Sequence, residues 1–169
     1  MAIDLDCRGT RMSLVFVYFR HSGFKDETVE ALRAAIGADI EAAKKRGATT
    51  LVGGDFNAEI GGRQPGEPES IIGTHADGTR NRRGEMMAKW AWASKLTIVN
   101  SRFQKPWEKM WTHIRQARKR VINYFCIEKL KRGAVQDLEV WEEVNLGSHH
   151  RAVRIILQIR TAKRASGQK

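Results

Sequence analysis

Residues 49–61 read Thr49-Thr50-Leu51-Val52-Gly53-Gly54-Asp55-Phe56-Asn57-Ala58-Glu59-Ile60-Gly61. Thr49 to Gly53 is a short run of β-formers and reads as a buried strand. Gly54-Asp55-Phe56-Asn57 follows at once. A carboxylate and a carboxamide two residues apart at a strand's C-terminal end can point the same way into a cleft. That pattern suits phosphoryl transfer: Asp55 orients a water or holds a cation, and the Asn57 amide donates to a phosphate oxygen. The competing reading is a turn in which both side chains bond the local backbone.

The flanks of this stretch fix the fold class. Upstream, Ile3, Leu5 and Cys7 alternate with Asp4 and Asp6, the period of a half-exposed strand. Arg8-Gly9-Thr10 reads as a turn, and Ser13 to Phe19 (SLVFVYF) as a buried strand, so the two form an antiparallel hairpin. Asp26 starts a helix with Val29, Leu32, Ile36, Ile40 and Ala43 on one stripe. Lys44-Lys45-Arg46 fills its last turn and Gly47 stops it. Downstream, residues 54–81 are rich in Gly, Pro and polar residues and read as a long functional loop. Asn81 caps a second helix with Met86, Met87, Trp90 and Ala91 inward. Leu96–Asn100, Val121–Ile127, Leu138–Trp141 and Arg151–Ile159 are further strands. The expectation is a layered α/β domain over residues 1–160 with a mixed sheet, followed by a basic disordered tail, 161–169.

Composition narrows the function. The 169 residues are 41% apolar and 29% charged, enough for one globular core. Thirty Lys and Arg against 19 Asp and Glu give +11, which points to a polyanion, nucleic acid before an anionic membrane. Residues 1–60 carry 8 basic and 9 acidic groups; residues 61–169 carry 22 and 10. The surplus therefore lies in the C-terminal two thirds. Arg80, Arg82, Arg83, Arg118, Lys119 and Arg120 are its candidate phosphate contacts, beside Arg115 and the Lys129, Lys131, Arg132 group. All five tryptophans share that part of the chain and can stack on bases, although buried aromatics are more often core. No apolar run is long enough to span a bilayer, and the first residues show no secretory pattern. Two cysteines, Cys7 and Cys126, form neither a disulfide framework nor a zinc motif, so a reducing intracellular compartment, nuclear or cytoplasmic, is expected.

Two more motifs carry chemistry. Gly147-Ser148-His149-His150 precedes the last strand; adjacent histidines diverge, so at most one enters a cleft, and an exposed loop pair is the alternative. Asn123 interrupts the apolar strand Val121-Ile122-Asn123-Tyr124-Phe125 and needs a hydrogen-bond partner, by default backbone.

Taken in order, the motifs are Tyr18 in VFVYF, His21-Ser22-Gly23, the first helix, LVGGDFNAEIG (51–61), GTHADGTRNRRG (73–84) and LTIVNSRF (96–103). Trp111-Thr112, INYF (122–125) and GSHHRAV (147–153) complete the series. The chain, up to about Ile159, thereby resembles the endonuclease/exonuclease/phosphatase superfamily. It looks most like the apurinic-type endonuclease domain of LINE-type retrotransposons and craniofacial-development-like sequences. The resemblance implies a four-layer α/β sandwich of mixed, mostly antiparallel sheets, truncated at its N-terminus. It also implies Mg²⁺- or Mn²⁺-dependent cleavage of phosphodiester or phosphomonoester bonds, with DNA expected before RNA.

By the same resemblance, Asp55 aligns the attacking water, Asn57 stabilises the pentavalent phosphorus, Tyr18 contacts the scissile phosphate and His150 binds phosphate. Three positions depart from the family pattern. Arg20 stands for a proline after the tyrosine, His149 for a metal- or water-orienting aspartate, and Asn123 for the acid that pairs with the histidine. The family's metal-binding glutamate comes from strands upstream of the tyrosine strand. Asp4, Glu59 or Asp77 could in principle lend a carboxylate, but none sits at a matching position; the resemblance implies no intact metal site here, with Asp55 a candidate ligand among the matched positions. The expectation is a nuclease-type domain with impaired catalysis. The alternatives are a non-catalytic nucleic-acid-binding remnant, or a protein that uses an exposed sheet face to form a homo-oligomer or hold a partner.

Overall fold

The structure is a computed structural model and describes residues 2–19, 26–144 and 147–159. His21-Ser22-Gly23, Arg20 and the tail 161–169 lie outside the described residues.

The N-terminal hairpin forms as its alternation predicts. Strands β1 (Ala2–Cys7) and β2 (Thr10–Tyr18) pair antiparallel. Arg8 and Gly9 both take positive φ at their turn, and Asp6 Oδ1 accepts the Gly9 N–H at 2.7 Å. Helix α1 (Asp26–Lys45) then crosses over to β3 (Thr49–Asp55), which lies parallel to β2. Helix α2 (Arg82–Ala93) starts where Asn81 predicts: the Asn81 side chain accepts the Gly84 N–H at 2.8 Å. The remaining strands are β4 (Leu96–Ile98), β5 (His113–Arg115), β6 (Arg118–Arg120), β7 (Asn123–Glu128), β8 (Val135–Val140) and β9 (Val153–Leu157).

The central sheet has the order β1-β2-β3-β7-β4, with β2–β3 its one parallel pair. Its residues alternate between two faces, as period 2 requires. Val15, Val17, Val52 and Cys126 pack toward the helices, against Ile36 and Ile40 of α1 and Met87 and Ala91 of α2. Met12, Leu51 and Ile127 point the other way, onto Val135 and Leu138 of β8, with Ile155 and Leu157 of β9 alongside. The described residues thus build three layers: helices, a five-stranded mixed sheet, and the antiparallel β8–β9 pair.

Several boundaries differ from the sequence reading, among them β8, which starts at Val135 rather than Leu138, and β9, which covers only Val153–Leu157 of Arg151–Ile159. Strand β3 runs on through Asp55, so Gly54 and Asp55 belong to the sheet rather than to the loop. Strand β4 is cut short because Val99–Ser101 winds into a 3₁₀ turn. Strand β7 begins at Asn123 rather than Val121. The hairpin β5–β6 was not expected at all: its turn residues Gln116 and Ala117 take positive φ without the Gly or Asn that announces such a turn. Among the described residues, no helix is long and apolar enough to cross a membrane.

Candidate functional site

Sheet register assembles the site. Tyr18 pairs with Asp55, and Asp55 pairs with Asn123, so three residues from three neighbouring strands stand in one row. Residues paired in this way share a face, here the one away from the helices. Gly54 makes the close approach possible. It has φ of 146°, and a Cβ there would lie 2.0 Å from the Val17 carbonyl oxygen.

Asp55 is buried. Its Oδ1 accepts the Asn57 backbone N–H at 2.8 Å, and Oδ2 accepts from Asn57 Nδ2 at 3.2 Å. Asn57 takes a left-handed backbone, φ 46°, and its Nδ2 also donates to the Phe19 carbonyl at 2.8 Å. The turn bonds are present and position the pair, and Asp55 Oδ2 lies 3.8 Å from His150 Nε2. Burial raises the Asp55 pKa above the usual carboxylate value, while the Asn57 N–H, His150 and Arg120 pull it back.

On the far side of the row, Asn123 Oδ1 lies 3.1 Å from His150 Nδ1. An amide oxygen accepts only, so Nδ1 carries the proton and Nε2 faces Asp55 as a lone pair unless the ring is charged. The partner of Asn123 is thus a side chain rather than the default backbone group. His150 is also held through its backbone, whose N–H donates to Ser148 Oγ at 2.9 Å. Asn123 is steadied by buried Thr112, whose Oγ1 accepts the N–H groups of Ile122 and Asn123, both at 3.0 Å. Asn100 Nδ2 donates to the Asn123 carbonyl at 3.1 Å. His149 is exposed, and Tyr18 is 65% exposed at the open end of the row.

The sequence reading passed over His113. Buried on β5, its ring meets that of His150 at 4.7 Å, edge-on, and that of His149 at 6.3 Å. Arg120 lies 3.1 Å from His113 Nδ1. A guanidinium only donates, so Nδ1 is the acceptor and Nε2 bears the hydrogen. Burial, then Arg120 and the neighbouring imidazoles, push the His113 pKa down to about 4. The buried Nε of Arg120 has no hydrogen-bond partner. Its positive charge acts on Asp55 in the row, and among the described residues no ion pair to a carboxylate holds it.

The other expected phosphate contacts are placed differently. Arg80 is buried, with 8% of its side chain exposed. It donates to Glu67 at 2.8 Å, Glu85 at 3.1 Å and the Ile60 carbonyl at 2.6 Å, and so ties the long loop to α2. Arg83 is buried in α2, whereas Arg82 is exposed. Arg118 meets both oxygens of Glu59 at 3.1 Å. Lys119 meets Glu108 at 2.9 Å and lies over the Trp111 ring at 5.0 Å.

The donor set was weighed against a divalent cation. Mg²⁺ takes oxygen ligands in near-octahedral geometry, commonly one or two carboxylates with substrate phosphates and waters. The row offers one carboxylate, already accepting two N–H groups from Asn57. Asp4 pairs with Arg46, Glu59 with Arg118, and Asp77 accepts from Gly78, so none of these carboxylates joins the row. Among the described residues, no three His, Cys, Asp or Glu side chains are arranged to hold a metal ion. The residues present do not form a metal cage by themselves.

No protein-family model matches the sequence, and no curated protein does. Solved structures do match. The endonuclease domain of TRAS1, a telomere-specific non-LTR retrotransposon, aligns at TM-score 0.55 and 13% identity over 94% of this chain and 63% of that one. A 3′ phosphatase from Neisseria, NExo, bound to a product DNA hairpin, aligns at 0.58 and 15%, over 92% and 64%. The AP endonuclease LMAP from Leishmania major aligns at 0.64 and 15%, over 94% and 54%. The fold is therefore that of the endonuclease/exonuclease/phosphatase type, and the chain spans less than two thirds of the length of each of these structures.

Proposed function

We propose that the chain is a nucleic-acid-binding domain of nuclease fold that holds a phosphate at the Tyr18–Asp55–Asn123 row and hydrolyses it poorly. The observation that carries this reading is the Asn123–His150 pair, 3.1 Å apart. The amide orients the imidazole as an acid would, but it brings no negative charge. Asp55 is then the one carboxylate in the row. In the serine-protease triad, an acid-to-amide change beside the catalytic histidine lowers turnover about 10⁴-fold. The chemistry differs, and the direction is what carries over.

Several features support phosphate binding. The exposed Tyr18 phenol and the Arg120 guanidinium, whose charge acts on Asp55, are donors for the phosphate, and the chain's net charge is +11. DNA is the proposed ligand, by resemblance and because one structure of this fold holds a DNA hairpin. The resemblance also brings a Mg²⁺ or Mn²⁺ requirement, so both ions belong in the test.

The test is plasmid nicking by the purified chain in each metal, beside Asp55→Ala, with DNA binding followed by fluorescence anisotropy. Expected are binding that weakens linearly in log K against log salt, and nicking no faster than the Asp55→Ala background. The double variant Asn123→Asp/His149→Asp, which returns two acids, should nick faster than wild type. Metal-dependent nicking by wild type that vanishes in Asp55→Ala would show a competent enzyme and overturn the impairment.

A further inference from the structure

Several cations of the C-terminal region are already neutralised. Arg80, Lys105, Arg118, Lys119, Arg151 and Arg154 each meet a carboxylate within 4 Å. Among the described residues, Arg102 and Arg132 meet none. Both are half-buried, and both are tied to backbone instead: Arg102 Nη1 donates to the Arg132 carbonyl, and Arg132 Nη1 donates to the Lys129 carbonyl at 2.9 Å. The two side chains line one cleft of about 440 Å³, together with Ser70, Thr74, His75 and Glu69. None of these residues belongs to the Asp55 row.

The walls of this cleft are fixed. Gly73 N–H donates to Ser101 Oγ at 2.7 Å, and His75 N–H to the Ser101 carbonyl at 3.0 Å. A Cβ at Gly73 would lie 2.4 Å from that carbonyl oxygen, so the loop approaches the Val99–Ser101 turn as closely as glycine permits. Two guanidinium groups held in one partly desolvated cleft repel each other, and an anion between them removes that cost. Burial and the charge of Arg132 both lower the Arg102 pKa, the sign of that repulsion. Glu69, the one carboxylate on the lining, is mostly exposed and lies 4.0 Å from Arg63.

We propose that Arg102 and Arg132, with the hydroxyl of Thr74 and the imidazole of His75, form an oxyanion site for a phosphate group, separate from the Asp55 row. A free phosphate and a phosphodiester of a nucleic-acid strand present the same chemistry. The site stands whether or not the chain hydrolyses anything.

The test uses the full chain and inorganic phosphate, read by the imidazole resonances of His75 against an added chemical-shift standard. A saturable shift at His75 is expected, at least about tenfold weaker in Arg132→Gln. Thr74→Glu, at an exposed position, puts a carboxylate at the cleft without touching the core and should abolish the shift. Circular dichroism checks that each variant is folded. Absence of a His75 shift, or a shift equally strong in a folded Arg132→Gln or Thr74→Glu, overturns the site.

A second arm separates the two sources of phosphate. If Arg132→Gln also weakens a single-stranded oligonucleotide, lowers its salt slope by about one phosphate and phosphate competes, the ligand is the strand's backbone. If the oligonucleotide is unaffected while phosphate binding is lost, the ligand is a free phosphate-bearing molecule. Asp55→Ala should leave the His75 shift intact, so failure of the row and failure of the cleft are told apart.

Discussion

The two faces of the central sheet are built from equally apolar strands and closed to different extents. On the helical face, Val52, Ile98 and Cys126 are wholly buried under α1 and α2. On the opposite face the β8–β9 pair closes only part of the surface. Leu5 stays 41% exposed and Phe16 43% exposed, on the β1–β2 side. The reason is width. Strands lie about 4.8 Å apart, so two strands cannot cover five. What the difference teaches is where access comes from. The Tyr18–Asp55–Asn123 row lies on the partly covered face, and exposure rises along it from buried Asp55 to open Tyr18. The closed face backs the row with packed side chains, and the other face leaves its Tyr18 end open to solvent.

The comparison breaks most visibly on the closed side. Ile36, 2% exposed on α1, packs in the helical cluster. Ile36→Ala removes three carbons from a site with little room to collapse, and should cost about 2–5 kcal/mol. A urea titration followed by circular dichroism measures it. A loss below about 1 kcal/mol would mean the helical layer is no better packed than the open one.

Next in size is a pH effect from the open side, where polar groups do the holding. His113 has its pKa lowered to about 4 in the folded chain, against 6.5 ordinarily. Its stabilising contribution is fully present above 6.5 and is lost as pH falls from there to about 4, because the unfolded chain takes the proton first. The shift corresponds to up to about 3 kcal/mol. Asp55 works in the other direction: its raised pKa favours the folded state as pH falls toward the ordinary carboxylate range. The difference between wild type and His113→Asn isolates position 113. Stability measured near pH 7 and near pH 4.5 should fall less steeply in the variant. Equal slopes would place His113 in water rather than against Arg120 and His150.

These positions also show how far the fold was legible before any coordinates. The first hairpin, α1, the strand ahead of Asp55 and the Asn81 cap all follow from local rules, because alternation, helical spacing and capping act within a few residues. The β5–β6 hairpin was not legible: Gln116-Ala117 carries no turn signal, and Arg118-Lys119-Arg120 reads as a basic cluster for phosphate contact rather than as a strand. His113 was missed for a related reason, since only tertiary packing brings it to His150 and no sequence spacing links them. Arg80 shows the same limit from the other side. Charge is visible in sequence, but the Glu67 that buries this charge lies thirteen residues away, across a loop. The two candidate halves, Asp55–Asn57 and Asn123–His150, were linked in the sequence by motif order, and sheet register sets Asp55 directly beside Asn123.

A smaller effect tests the joint between the closed face and the row. Asn81 Oδ1 accepts the N–H of Gly84 and that of Glu59, so one side chain caps α2 and anchors the loop beyond Asn57. Asn81→Ala should cost about 1 kcal/mol. Exchange of the Gly84 and Glu59 amides should rise together if one side chain serves both, and separately if the cap alone matters.

The smallest expected effect is the one that sharpens the comparison most. Phe16 stands on β2 two residues before Tyr18 of the row, across from Gly53, and is 43% exposed. Phe16→Thr replaces one strand-former by another and removes an aromatic ring that is only half covered. If the open face contributes little to folding of this chain, stability should change by no more than about 0.5 kcal/mol, the range of ordinary surface substitutions. The same urea titration that registers Ile36→Ala would read it. A loss approaching that of Ile36→Ala would show that Phe16 is covered in solution. Size-exclusion chromatography at several concentrations would then tell a self-associated chain from a monomer. A near-zero change, beside a large one at Ile36, would confirm that the closed face holds the sheet together and leaves the other free for ligand.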